Sequence, residues 1–207
     1  MDPAAREKRQ AKRKREILRA TLRLLRRHGS GISTAQIAAE ANCSKETLYD
    51  WFNDRDGIFM ALVEEQARAM GDALSAAFQS VDDLPFKEKL TAYSLALVDF
   101  TSGEALIAVN RAAMAEACHT KAELGLVVLD DWDSQVANAV RDLMQQGADE
   151  GHVAIDDLDE AFDVLVGLLI GDRQRRLLLG EESRPEPQQM EDISAKAVER
   201  WLTLFKT

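Results

Sequence analysis

Cysteine is almost absent from this chain. Its two cysteines, Cys43 and Cys118, stand far apart in sequence, so a structural disulfide is not expected and a reducing, cytoplasmic setting is the simple reading. Histidine is equally scarce: His28, His119 and His152. With no H-E-x-x-H, no C-x-x-C, no phosphate-cradling glycine loop and no Gly-x-Ser-x-Gly, the sequence supplies no catalytic residues, no metal site and no cofactor site, and an enzyme is not expected. Four prolines and eleven glycines in 207 residues are too few for a β-rich or disordered chain. The longest apolar run, Val164 to Ile170, falls far short of the ~20 residues a membrane-spanning helix needs. No apolar stretch of signal-peptide type stands near the start, so neither secretion nor a membrane partner is expected. No internal repeat is apparent.

Positive charge is the minority sign, 26 Lys and Arg against 36 Asp and Glu, for a formal net charge of −10. That balance argues against a nucleic-acid partner until its distribution is considered. Residues 1–60 hold 13 basic and 8 acidic side chains, and the remainder holds 13 basic and 28 acidic. The front of the chain is therefore cationic and the rest strongly anionic, and it is this asymmetry that bears on partners. Abundant Ala, Leu, Glu and Arg favour an all-α fold. The length suits one or two small domains with a real core.

The chain is organised around Ser33 to Phe52, S-T-A-Q-I-A-A-E-A-N-C-S-K-E-T-L-Y-D-W-F. Ser33 and Gln36 form a capping box for a first short helix. Ile37, Ala38 and Ala41 give that helix an apolar stripe. Asn42 stands where the helix must stop, and Asn tolerates left-handed backbone better than most residues. Cys43 suits a small apolar plug at the elbow, and Ser44 is a second N-cap. Leu48 and Phe52, four apart, form the back of a second helix. Lys45, Glu46, Tyr49 and Asp50 occupy its front, with Thr47 near the edge and Trp51 partly in the core beside Leu48. An apolar back and a hydrogen-bonding front are what a helix needs to enter the major groove while its partner braces it.

From about Ile17 to Val63 the chain resembles the TetR family of bacterial transcription regulators. The resemblance is carried by Arg27-His28-Gly29, Ser33 to Ala38, Asn42-Cys43-Ser44, Thr47-Leu48-Tyr49, Phe52 and Asp54-Arg55. The chain departs from the family in having Asn42 for the usual Gly, Cys43 for a β-branched residue, Glu46 for Gly or Pro, and Trp51 for His or Tyr. Asn42 and Cys43 meet the same physical demand. Glu46 leaves the base preference open.

Ahead of the motif, residues 1–15 form a basic arm with almost nothing to pack. It reads as a segment that neutralises phosphates and enters a minor groove, or as a solvated tail. The spacing predicts helices over about 13–27, 55–79, 85–101, 104–117, 121–150, 158–179 and 189–205, about nine in all with the two of the motif. Asn53 and Asp54 would cap the helix 55–79. Thr120 with Glu123, and Asp157 with Glu160, repeat the capping pattern. Gly125 and Gly147 are mild misfits within 121–150. Gly167 and Gly171, four apart, would let another backbone approach closely. The residues 181–188, with Pro185 and Pro187, read as an irregular linker.

The expected architecture is an arm and three-helix helix-turn-helix domain over 1–54, then a helical effector-binding and dimerisation domain over 55–207, linked by the helix 55–79. The resemblance implies DNA contacts at Thr34, Ser44, Lys45, Thr47, Tyr49 and Arg55. Lys45 would bond a guanine edge or a phosphate, with Thr34 and Tyr49 on phosphates. Arg55 would meet a phosphate at a helix N-terminus. Glu46 and Asp50 would repel the backbone unless one accepts from a cytosine amino group.

The resemblance also implies a small-molecule pocket in the second domain, with candidates Tyr93, Leu97, Phe100 and Asn110, then Arg111, Met114, His119 and Trp132. It implies a homodimer through 158–179 and 189–205. The function expected is a repressor released from a pseudo-palindromic operator in double-stranded DNA by a small-molecule effector. Two other readings stay open: a helical adaptor or interaction protein, and an effector-independent DNA-binding regulator.

Overall fold

The computed structural model describes residues 3–81, 83–117 and 136–206, and among them every regular element is a helix. In chain order these are α1 (Pro3–His28), one 3-10 turn (Gly29–Gly31), α2 (Thr34–Glu40), α3 (Lys45–Phe52), α4 (Arg55–Ser80), α5 (Phe86–Thr101) and α6 (Glu104–Ala117). Then come α7 (Val136–Asp149), α8 (Leu158–Ile170), α9 (Arg173–Leu179) and α10 (Pro187–Leu204). They fall into two compact units, Met1–Gln66 with Ala108–Leu129, and Ala67–Ile107 with Asp130–Thr207. The helices α4 and α6 are divided between them.

The first unit is built on one apolar cluster. Ile17, Leu24 and Leu25 from α1 meet Ile37 from α2, Leu48 and Phe52 from α3, and Ile58 and Leu62 from α4. Val109 and Ala112 of α6 complete it. Each large aliphatic side chain buried here stabilises the unit by about 1.5–3 kcal/mol. Thr21 is polar within this core, and its hydroxyl is satisfied by donating to the Ile17 carbonyl at 3.0 Å.

The second unit is a helical layer structure centred on α5, which packs against α7, α8 and, most extensively, α10. Trp201 of α10 is fully buried, and its indole N–H donates to the Ala161 carbonyl of α8 at 2.8 Å. Arg141 of α7 lies over the Phe162 ring at 4.4 Å and pairs with Asp159 at 2.8 Å, tying α7 to α8. Gly147 of α7 is where the Phe86 ring approaches: a Cβ there would stand 2.3 Å from a ring carbon. The apparent misfit in the α7 pattern is thus the space that admits Phe86.

Three boundaries differ from those the sequence suggests. The basic arm is helical from Pro3, because Ala, Arg, Glu, Lys and Gln are good helix formers even where nothing apolar allows packing. The stretch 158–179 is two helices. Gly171 takes φ +49° and ψ −142° and ends α8, and Arg173 then donates to the Leu169 carbonyl at 2.6 Å. The last helix starts at Pro187 rather than 189, with proline in the first helical turn where its missing N–H costs nothing. Of the helix expected over 121–150, Val136–Asp149 is seen; Gly125 and the capping pair Thr120 and Glu123 lie outside the described residues.

Candidate nucleic-acid interface

The turn between α2 and α3 is locked by local hydrogen bonds. Ser33 accepts from the Gln36 N–H at 3.3 Å, and the Gln36 side chain accepts from the Ser33 N–H at 2.8 Å, a complete capping box. After α2, the Asn42 N–H reaches back to Ala39 at 3.2 Å and the Cys43 N–H to Ala38 at 3.0 Å. Asn42 adopts φ +51°, the left-handed conformation this closure requires. Cys43 is half-buried against the core, and burial pushes its thiol pKa up. Ser44 then caps α3 by accepting from the Thr47 N–H at 3.1 Å.

Long-range contacts brace this turn, and they use side chains that local sequence patterns do not single out. Arg13, counted in sequence with the basic arm, donates to the carbonyls of Ala41 at 2.9 Å and Asn42 at 2.8 Å. A cation thereby sits at the C-terminal end of α2, where the helix dipole favours it. Its position four before Ile17, on the packed face of α1, is the one signal that could have separated it from the other basic residues. Glu40 pairs with Arg23 at 3.0 Å and Arg27 at 2.6 Å, clamping α2 to α1, and these two guanidinium groups hold its carboxyl below the usual range. Lys14 lies over the Phe52 ring at 5.9 Å.

The α3–α4 junction is equally determined. Asn53 ends α3 with φ +69°, its N–H donating to the Tyr49 carbonyl, so it closes one helix rather than capping the next. Asp54 alone caps α4, accepting from the Gly57 N–H at 2.8 Å. Gly57 has no room for a side chain, because a Cβ would stand 1.8 Å from the Phe52 carbonyl oxygen.

With Leu48 and Phe52 buried behind it, α3 presents Lys45, Glu46, Tyr49 and Asp50 to solvent, Tyr49 being 49 % exposed. Ser44, Lys45 and Thr47 are gathered in its first turn, the Ser44 and Thr47 hydroxyls 3.1 Å apart. Thr34 is half-buried in the first turn of α2. Arg55 stands apart from this group. Its guanidinium donates to the Ile32 carbonyl at 3.0 Å and to the Ser30 carbonyl, and it stacks over Phe59 at 4.6 Å.

Residues 17–62 match the family model described as bacterial regulatory proteins, tetR family. Residues 88–207, more than half the chain, match that of the AefR-like transcriptional repressor, C-terminal domain. The chain belongs to the TetR family. It is a DNA-binding transcriptional regulator. A TetR transcriptional regulator from Agrobacterium tumefaciens is 30% identical over 94% of both chains, with a TM-score of 0.75. A TetR-family regulator from Mesorhizobium loti is 22% identical over 96% of this chain and 99% of that one, with a TM-score of 0.84. The fatty acid degradation regulator FadR from Bacillus halodurans shares the fold at 16% identity and a TM-score of 0.73, over 92% of this chain and 94% of that one. No curated protein matches the chain.

The effector candidates of this TetR-family chain are distributed over both units. Tyr93 and Leu97 of α5 are buried in the second core, and Phe100 is half-buried against it. Asn110, Arg111 and Met114 lie in the part of α6 that belongs to the first unit. Of these, Arg111 and Met114 are exposed, and Asn110 has a buried side-chain oxygen with no hydrogen-bond partner among the described residues. His119 and Trp132 lie outside the described residues. In the second core the Ser94 hydroxyl, fully buried on α5, also has no hydrogen-bond partner among the described residues. Among the described residues no group of three or more His, Cys, Asp or Glu side chains converges as a metal site requires. No single described helix is long and apolar enough to cross a membrane.

Proposed function

We propose that this protein is a cytoplasmic, homodimeric repressor that reads a pseudo-palindromic operator with α3 and leaves it when a small molecule binds the second unit. The observation that carries the reading is the design of α3: an apolar back held by the core, a capped first turn, and an exposed polar front. In this reading Lys45 addresses a guanine edge or a phosphate, and Thr34, Ser44, Thr47 and Tyr49 contact the backbone or nearby base edges. Arg55 acts from behind, holding the Ser30–Ile32 loop that leads into α2. Glu46 and Asp50 select against phosphate contact on their edge and favour a cytosine amino group.

Two copies pair through α8, α9 and α10, which sets two α3 helices roughly 34–36 Å apart, one turn of B-DNA. The Ser94 hydroxyl, buried and without a hydrogen-bond partner among the described residues, supports an effector site along α5. A buried polar group without a partner is uncommon, and a ligand hydroxyl or carbonyl would satisfy it. Footprinting on the DNA upstream of the protein's own gene and its neighbours tests the reading. A protected pseudo-palindrome whose protection is lost on adding the small molecule that co-purifies with the protein is the expected result. No protection of any duplex at low salt would overturn it.

A further inference from the structure

Once the brace of the first unit is accounted for, a file of cations on α1 is left over. Arg13, Arg23 and Arg27 are committed to Ala41, Asn42 and Glu40, and Lys14 sits over Phe52. Lys8, Lys12, Arg15 and Arg19 are exposed and hold no hydrogen bond or ion pair among the described residues. They are four, three and four positions apart, so they stand above one another along one line of the helix. At 100° per residue that line is on the side of α1 opposite Ile17, Thr21 and Leu24, which face the core. The nearby acid, Glu16, is paired with Arg13 at 2.8 Å. From Lys8 to Arg19 the file spans about 16 Å. Because Arg13 grips the α2–α3 turn, residues 3–12 carry α1 about 15 Å beyond the turn from which α3 sets out. Lys12 and Arg19 also act on Glu16 electrostatically, yet one carboxylate already bonded to Arg13 does not balance four cations. Like charges along the file repel one another, and a polyanion of regular spacing relieves that repulsion.

We propose that this file is a phosphate rail: α1, as a helix, lies along the backbone of the duplex that α3 reads, and Lys8, Lys12, Arg15 and Arg19 neutralise phosphates outside the bases α3 contacts. The proposal rests on the DNA-binding reading of α3 and adds a sequence-independent surface to it. A rail carries no base information, so it tightens binding to operator and random duplex by the same factor. An unfolded arm in the minor groove would use the same charges without needing the helix.

Binding of the full chain to a random-sequence duplex, and to a duplex selected from a random pool, is measured between about 50 and 200 mM salt. In the triple variant Lys8→Gln/Lys12→Gln/Arg15→Gln, the slope of log affinity against log salt should fall by about 0.9 per lost phosphate contact. Both duplexes should weaken by the same factor. Ala11→Pro keeps every charge but interrupts the helix within the overhang, and should lose most of the same affinity. Circular dichroism and thermal melting check that the core of each variant is intact. An unchanged slope in the triple variant overturns the rail, and so does unchanged binding by Ala11→Pro, which would make the segment an unstructured arm. If the wild-type protein shows no preference for any selected duplex, the reading of α3 fails, and the random duplex still judges the rail.

Discussion

At the scale of single residues, the first unit separates arginines that hold the fold from cations that remain available to DNA. Arg13 donates to backbone carbonyls in the turn between α2 and α3, and Arg55 donates from two nitrogens to carbonyls of the loop ahead of α2, a forked contact no lysine could make. Glu40 receives Arg23 and Arg27, which lower its pKa from the ordinary value of 4.5. The sign follows from linkage. A carboxyl whose folded pKa is depressed contributes stability above 4.5 and loses it as pH falls through the folded value. Urea midpoints of wild type and Glu40→Gln should therefore differ at neutral pH, wild type being the more stable, and converge in acid. Curves that stay parallel down to the acid limit would show that the clamp adds nothing. Gly57 is the most constrained position of the site. Ala in its place drives a methyl into the Phe52 carbonyl, and opening the α3–α4 junction should cost about 3 kcal/mol. Urea unfolding reads that loss directly. DNA affinity should fall along with it, because the displaced strut is the one that fixes the end of α3.

At the scale of elements, the helix-turn-helix was legible because its determinants are local. Ser33 with Gln36, Asn42 and Ser44 lie within twelve residues and each acts on backbone a few positions away. The misread elements depend on contacts distant in sequence or on a break that periodicity does not mark. Leu165, Leu169 and, beyond the polar stretch 171–176, Leu177 stand at multiples of four, so helical spacing bridges Gly171, and the backbone geometry there divides α8 from α9. Arg13 was assigned to the arm because its partners, Ala41 and Asn42, are 28 and 29 residues away. Gly147 looked like a flaw in α7 because Phe86, whose ring fills its place, belongs to another helix. That last contact can be tested as an element-level fit. Gly147→Ala gains helix propensity worth up to ~1 kcal/mol but forces the Phe86 ring aside, at about 1–3 kcal/mol. We expect net destabilisation in thermal unfolding, relieved when Phe86→Leu is combined with it. Additive effects of the two substitutions would mean that the ring and the glycine do not share the same space.

At the scale of the whole molecule, the excess negative charge and the cationic front make one argument. The front of the chain carries 13 Lys and Arg against 8 acids, the rest 13 against 28, so the first stretch attracts a duplex and the remainder repels it. In the proposed reading that polarity orients a single copy, one copy would read one half-site, and the second would be held in register by an interface. The half-buried apolar residues of α8, Val164 and Leu168, flank Gly167, and a Cβ on Gly167 would meet nothing within 4 Å in this chain. Within one subunit Gly167→Leu should therefore be harmless, and it should even favour the helix by up to ~1 kcal/mol. Across a dimer interface the same leucine would stand where the partner's helix has to come close. The substitution thus separates two quantities that usually move together. In the variant, helical content should hold, sedimentation should shift toward the single subunit, and operator binding should weaken steeply because only one half-site is engaged at a time. A variant that stays dimeric with unchanged operator affinity would show that the pairing surface lies elsewhere than on this face of α8.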